Sequence, residues 1–143
     1  MSKSTPDRRD GYPYFLAITT RWMDNDLYNH VNNVVYYSYF DTVVNEYMLR
    51  EQALSLAVGP VCLAVETACQ YFSPISFPDT VACGLRVAHL GTSSVRFEIG
   101  VFRNDDPDAA AQGHFVHVCC DRRTQRPLPM PERMRRALEK IQA

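Results

Sequence analysis

The sequence predicts an α+β domain in which one long helix packs against an antiparallel sheet. Three observations support this class. A helical pattern over residues 34–50 follows a strand-like segment over residues 12–22. Four later segments have strand patterns, and in most of them apolar and polar residues alternate at a period of two. The connections after residue 78 are short, so we expect the last strands to be antiparallel neighbours and not parts of repeating βαβ units.

The first strand and the long helix are the best-defined elements. Tyr14, Leu16 and Ile18 alternate with their neighbours in a segment rich in β-branched and aromatic residues, which is typical of a strand. One face of the helix carries apolar residues at spacings of four, three and four, namely Tyr36, Phe40, Val43 and Tyr47. The helix is apolar on nearly every side near its start, so we expect other elements to cover it on several sides.

The rest of the chain predicts four strands and a short helix. We expect the strands over residues 61–72, 81–88, 95–101 and 111–122. A turn that contains Pro74 and Pro78 joins the first two, and residues 90–93 form a hairpin loop. Pro131 suits the first turn of a short C-terminal helix, with the neighbouring Glu132 favourable at its positive end.

Length, charge and hydropathy narrow the class of protein. The 143 residues suit one domain, over residues 12–143, preceded by a flexible polar tail over residues 1–11. The tail lacks the apolar stretch of a signal peptide, so we expect a cytoplasmic protein. The formal net charge of −1 gives no electrostatic argument for nucleic acid or an anionic membrane. No apolar run is long enough to span a bilayer.

The cysteines predict neither a disulfide framework nor a metal site. The chain has an odd number of cysteines and no Cys-x-x-Cys pair. The five cysteines are Cys62, Cys69, Cys83, Cys119 and Cys120. We interpret them as small buried hydrophobic residues in a reducing compartment. The alternative, a cysteine nucleophile, has no supporting histidine–cysteine signature.

A polar loop over residues 21–33 brings carboxylates to the start of the long helix. Asn29 and Asn32 are candidate N-caps, and Asp26 lies about one turn before the expected first helical residue. Unpaired backbone N–H groups at a helix N-terminus can stabilise a developing oxyanion. A nearby carboxylate can attack a carbonyl carbon or take a proton from water. The loop therefore suits chemistry on a carbonyl group.

The same stretch carries a family resemblance. The chain reads RWMDND at residues 21–26, HVNN at 30–33 and YYSYF at 36–40. This pattern resembles the opening motif of hotdog-fold acyl-CoA thioesterases of the 4-hydroxybenzoyl-CoA thioesterase type, and within them the branch with a His-Val-Asn-Asn step before the helix. The similarity continues through residues 72–79, 86–95 and 126–131, and so covers nearly the whole chain after Tyr12.

The resemblance implies a fold, an assembly and a reaction. The fold is the hotdog, an antiparallel five-stranded sheet wrapped around one long central helix, with a short C-terminal helix. The assembly is a homodimer or homotetramer with the active site at the subunit interface. A sheet with open edges and a helix-free face favours such association on physical grounds as well. The reaction is hydrolysis of an acyl-CoA, with a weak preference for fatty acyl groups. It needs no cofactor, because coenzyme A is part of the substrate.

By the same resemblance, Asp26 is the catalytic carboxylate and the backbone amide of Asn33 polarises the thioester carbonyl. Asp26 acts either as general base or as nucleophile. The candidate substrate-binding residues are His30, Tyr28, Asn32 and Tyr36. Asp24 fits a turn role better than direct chemistry. We expect Glu66, the charged residue of an apolar strand, to pair with an arginine.

Several alternatives stay open at this level. A non-catalytic module on the same fold could bind an acyl or aromatic ligand, because fold does not fix function. An acyl carrier protein could replace coenzyme A as the acyl donor. A metal site at Asp24, Asp26 and His30 has little support, because the three mixed ligands have no second cluster. The basic residues of the C-terminal helix fit a solvated face better than a patch for coenzyme A phosphates.

Overall fold

A computed structural model describes residues 5–143 and contains one five-stranded sheet and two helices. The elements, in chain order, are β1 (Tyr14–Thr19), α1 (Val35–Arg50), β2 (Val61–Tyr71), β3 (Thr80–Leu90), β4 (Ser94–Arg103), β5 (Ala111–Cys120) and α2 (Glu132–Glu139). The strand order in the sheet is β1-β3-β4-β5-β2, and every neighbouring pair is antiparallel. The α+β class and the antiparallel succession of β3, β4 and β5 are confirmed.

One face of the sheet packs against α1. The predicted apolar face of this helix is buried, with Tyr36, Phe40, Val43 and Tyr47 at most 3% exposed. Phe40 meets Phe115 of β5 edge to face, with ring centroids 5.8 Å apart. The residues of α1, α2 and the inward face of the sheet form one continuous core. This is the hotdog arrangement, and burial of the apolar helix on several sides is what stabilises it.

The other face of the sheet is covered in part by the N-terminal segment. Tyr12 is 6% exposed and lies over two glycines, because a Cβ at Gly84 or Gly100 would come within 2.8 Å of its ring. The Asp7 amide donates a hydrogen bond to the Gln112 side chain at 2.6 Å. Residues 7–11 therefore pack on the sheet and do not form the free tail expected for residues 1–11. Residues 1–4 of that tail lie outside the described part of the chain.

Two boundaries near the polar loop differ from the expectation. The first strand ends at Thr19 and not at residue 22, because Trp22–Asp24 forms a 3-10 turn. Helix α1 begins at Val35, and the N-cap residue Val34 has no side chain that could cap the helix. Asn29 is not a cap, since it adopts a left-handed φ of 63° inside the loop, a conformation that asparagine tolerates.

The cysteines are buried or half-buried, as expected, and the helices have the polarity expected from the sequence. Cys83, Cys119 and Cys120 are buried, Cys62 and Cys69 are half-buried, and all five are free thiols. Neither helix in the described part of the chain has the length and apolar character needed to cross a membrane.

Candidate active site

The loop over residues 24–33 closes on itself around Asp26. The Asp26 amide donates to the His30 carbonyl at 2.9 Å, and the Asn29 amide donates to the Asp26 carbonyl at 3.0 Å. The partly buried carboxylate accepts the Tyr28 amide at Oδ1, at 2.8 Å. The Asn32 side-chain amide lies 3.5 Å from Oδ2. The backbone of its own loop therefore fixes the orientation of the Asp26 carboxylate.

Asp24 anchors this loop to α1 and confirms its expected turn role. Its carboxylate is 1% exposed and accepts the Arg21 amide and the Tyr39 hydroxyl, both at 2.9 Å. Burial by itself raises the pKa of Asp24, but the hydrogen bonds from Arg21 and Tyr39 outweigh it and hold the pKa below its ordinary value. The backbone carbonyl of Asp24 accepts the Asn32 amide at 2.8 Å, so Asp24 also holds the end of the loop.

The connection between β2 and β3 supports the loop from the other side. The Val31 amide donates to the Ile75 carbonyl at 2.7 Å, and the Ser76 hydroxyl donates to the Asn29 carbonyl at 2.7 Å. The Phe77 amide donates to the Asn25 side chain at 3.0 Å. These contacts join segments about 50 residues apart, and no local pattern in the sequence indicates them.

The Asn33 amide, just before the start of α1, has no protein partner in the described part of the chain. The Val35 amide donates to the Asn32 carbonyl at 2.9 Å, and the Val34 amide donates to Asn32 Oδ1 at 3.0 Å. Within residues 5–143, no acceptor receives the N–H of Asn33. The Asn32 side chain thus contacts both the helix start and the Asp26 carboxylate. The next residue in the chain, Asn33, carries an N–H that is free to bind an incoming oxygen.

A cleft of about 360 Å³ opens beside this helix start. Its walls are His30, Val31, Asn33, Tyr36, Tyr71, Phe72, Ser73 and Pro74. The walls are largely apolar with a few polar groups, as in small-molecule sites. The cleft brings together three of the expected site residues, His30, Asn33 and Tyr36.

The other expected site residues do not line the cleft. Asp26 is linked to the wall of the cleft through its backbone, because its amide donates to the carbonyl of His30. The side chain of Tyr28 is 82% exposed, and this residue contacts Asp26 through its backbone N–H. Asn32 uses its side chain inside the loop. Tyr71, which does line the cleft, was not expected there, because it comes from the far end of a strand.

The remaining candidate residues lie elsewhere. Glu66 pairs with Arg96 at 3.8 Å, as expected, and more closely with His114 at 2.7 Å. The basic side chains of α2 bond within the chain; Arg135, for example, donates to the Gly91 carbonyl at 2.6 Å. No three His, Cys, Asp or Glu side chains in the described part of the chain are placed to hold a metal ion.

Comparison with known proteins identifies the family. Residues 20–138 match the model of the thioesterase-like superfamily. The structure of the PA5185 protein from Pseudomonas aeruginosa is 45% identical, with a TM-score of 0.94 over 98% of both chains. PA2801 from the same organism, a proposed thioesterase, is 27% identical, with a TM-score of 0.82 over 88% of this chain and 98% of that one.

A third solved structure carries a ligand. It is a thioesterase from Thermus thermophilus in complex with coenzyme A and zinc, 30% identical, with a TM-score of 0.75 over 92% of this chain and 96% of that one. A comparison with curated proteins gave no match. The family model matches most of the length of the chain, and these solved structures have the same fold. The chain therefore belongs to the thioesterase-like superfamily.

Proposed function

We propose that this protein hydrolyses an acyl-CoA thioester to a free acid and coenzyme A. The observation that carries the proposal is the role of Asn32, whose side chain contacts both the Asp26 carboxylate and the start of α1. The Asp26 carboxylate is thereby linked to the residue that precedes Asn33, and Asn33 lines the cleft and carries an N–H without a protein acceptor among residues 5–143. Membership of the thioesterase-like superfamily and the coenzyme A complex of the T. thermophilus relative add support.

In the proposed reaction, the Asn33 N–H donates to the thioester oxygen as negative charge develops on it. With Asp26 as general base, the carboxylate takes a proton from water while the water oxygen forms a bond to the carbonyl carbon. The carbon–sulfur bond then breaks, and the departing thiolate of coenzyme A takes up the proton. With Asp26 as nucleophile, an anhydride forms first and water hydrolyses it, with the same products.

The walls of the cleft define how the substrate would bind. We place the thioester beside Asn33, with His30 and the aromatic ring of Tyr36 against the group attached to it. The His-Val-Asn-Asn step at residues 30–33 favours fatty acyl groups and the corresponding branch of the 4-hydroxybenzoyl-CoA thioesterase type. Comparing acyl-CoA with acylated carrier protein separates the two possible acyl donors.

Three further features belong to the proposal. No cofactor is required, since a thioester is already an activated acyl donor. The site is completed at an interface between copies of this chain, in a dimer or tetramer. The location is the cytoplasm, which agrees with five free thiols, because reducing compartments keep cysteines in this state.

The substitution Asp26→Asn tests the central step. It keeps the size of the side chain but removes its capacity to attack or to take a proton, so we expect kcat to fall by about 10²–10⁴-fold. The measurement is release of free thiol from a panel of short, long and aromatic acyl-CoAs. Asp105→Asn, the same change at an exposed turn, is the matched control and retains wild-type rates.

Two results would contradict the proposal. Equal rates for wild type and Asp26→Asn would remove Asp26 from the chemistry. Binding of acyl-CoA without turnover of any member of the panel would instead support the non-catalytic ligand-binding alternative.

A further inference from the structure

We infer that Tyr71 is a positioning residue for the Asn33 amide. This inference rests on the proposed function and adds a residue that belongs to none of the motifs. Tyr71 is the last residue of β2, and its hydroxyl donates a hydrogen bond to the Asn33 carbonyl at 3.1 Å, across 38 positions of the chain. The contact therefore joins the end of an edge strand to the residue that carries the free N–H.

The hydrogen bond from Tyr71 completes the restraint of Asn33. Asn33 lies between two peptide groups, and its N–H belongs to the one that begins at the Asn32 carbonyl. That carbonyl accepts the Val35 amide at 2.9 Å. The following peptide is held at both ends, because Val34 donates to Asn32 Oδ1 at 3.0 Å and the Asn33 carbonyl accepts the Tyr71 hydroxyl. With both peptides held, the N–H has a fixed direction before substrate arrives, as an oxyanion donor requires.

The ring of Tyr71 is itself restrained. It meets the Tyr36 ring edge to face, with centroids 5.0 Å apart, and Tyr36 is 3% exposed in the first turn of α1. This packing directs the hydroxyl toward the start of the helix. Burial and the nearby Cys69 raise the pKa of Tyr71 above its ordinary value, so the hydroxyl keeps its proton and remains a donor at neutral pH.

Tyr71 also lines the cleft, so a test must separate positioning from substrate contact. An interaction that acts only on the transition state changes kcat, whereas uniform substrate binding changes KM. The substitution Tyr71→Phe keeps the ring and the wall of the cleft, and removes only the hydroxyl. We expect kcat to fall by roughly three- to tenfold, in keeping with the loss of one hydrogen bond, while KM changes by less than about twofold.

The matched control is Tyr47→Phe. Tyr47 also donates its hydroxyl to a backbone carbonyl, that of Ala137, but far from the cleft along α1. We expect this variant to lose thermal stability and keep the wild-type kcat. Thermal denaturation of both variants measures their loss of stability. Only Tyr71→Phe should also lower kcat, because only Tyr71 positions the Asn33 amide.

A second arm asks whether Tyr71 acts through the Asn33 amide. Asn33→Pro removes the N–H, and we expect kcat to fall by about 10²–10³-fold. If Tyr71 only positions this donor, Tyr71→Phe has no further effect on kcat in the Asn33→Pro background. A full additional three- to tenfold loss there would overturn the inference.

The outcomes also separate this inference from the proposed function. A rise in KM at constant kcat in Tyr71→Phe, or no change in either constant, overturns the role of Tyr71 and leaves acyl-CoA hydrolysis intact, provided Asp26→Asn is inactive in the same assay. If the wild-type chain hydrolyses no acyl-CoA, both the proposed function and the role of Tyr71 are contradicted.

Discussion

At the scale of single residues, Asn32 engages every polar group that it has within the chain. Its backbone N–H donates to the Asp24 carbonyl, and its carbonyl accepts the Val35 amide. Its side-chain oxygen accepts the Val34 amide at 3.0 Å, and its side-chain nitrogen lies 3.5 Å from the Asp26 carboxylate. We expected Asn32 to bind the substrate. These contacts fit a residue that supports the loop better than one that contacts the substrate.

His117 is a buried polar residue whose chemistry the proposed reaction does not use. It is 5% exposed, its ring contacts those of Phe97 and Phe115, and its Nε2 has no hydrogen-bond partner in the described part of the chain. Burial disfavours the charged ring and lowers the pKa of His117 from 6.5 to about 4. The residue is therefore neutral in the folded protein at neutral pH.

This pKa shift predicts loss of stability in mild acid. Below pH 6.5 the unfolded chain binds a proton at His117 that the folded chain does not, so the free energy of unfolding falls as the pH drops from 6.5 to about 4. The full effect is roughly 3 kcal/mol. Urea denaturation at pH 7 and pH 4.5 measures most of this effect, and His117→Phe should flatten the dependence. The lowered pKa of Asp24 acts in a separate range, because its contribution is lost only below pH 3.8.

The control for this prediction is His89→Gln, which changes an exposed histidine outside the core. It should retain the pH dependence of the wild type. An equal slope in His117→Phe and wild type would show that His117 is not the group responsible.

At the scale of elements, the segment before β1 acts as a cover for the outer face of the sheet. The Tyr12 ring packs on Arg86, with the guanidinium 4.4 Å from its centroid, and edge to face on Phe102 at 5.8 Å. Glycine at residues 84 and 100 permits this close approach, because a Cβ at either position would overlap the ring. The sheet is therefore buried on both faces near its centre.

Removing this cover should destabilise the fold. We expect Tyr12→Ala to lower the free energy of unfolding by about 3 kcal/mol, as for other buried aromatic side chains. Tyr28→Ala, which truncates a tyrosine that is 82% exposed, should change it by less than about 0.5 kcal/mol. Chemical denaturation of the two variants gives the comparison. Equal stability of Tyr12→Ala and wild type would show that residues 7–12 contribute little to the fold.

At the scale of the whole molecule, β2 leaves one edge of the sheet open. It is 11 residues long, pairs only with β5 in the described part of the chain, and exposes Val65 at 61% and Tyr71 at 45%. A long apolar edge strand presents unpaired backbone groups to another chain. We therefore expect two copies to associate along β2, which would also bring the second copy close to the cleft that Tyr71 lines.

A charge on this edge tests the association. We expect the wild type to be a dimer or tetramer by light scattering coupled to size-exclusion chromatography, and Val65→Asp to shift it toward monomer. Ala88→Asp places the same charge at an exposed position on β3, which lies three strands away from β2 in the sheet. This control should keep the wild-type mass. A monomeric wild type would contradict the expected assembly.

Local patterns in the sequence were enough to predict the secondary-structure elements and several residues of the candidate site. Periodicity identified the helix and all five strands to within a few residues, because the alternation of apolar side chains depends only on near neighbours. The local motif identified Asp26, His30, Asn33 and Tyr36 as candidates, and the structure places the last three around one cleft. The turn role of Asp24 and the ion pair of Glu66 were also accessible from local chemistry.

The contacts between distant segments of the chain were not predictable from local patterns. A period of two shows which residues of a strand share a face, but not which strand lies beside it, so the pairing of β2 with β5 and of β1 with β3 was not predictable. The support of the loop by residues 75–77, the cover by Tyr12 and the contact of Tyr71 with Asn33 all follow from that pairing. Strand pairing is non-local, so these contacts depend on how the whole chain packs and not on any single stretch of it.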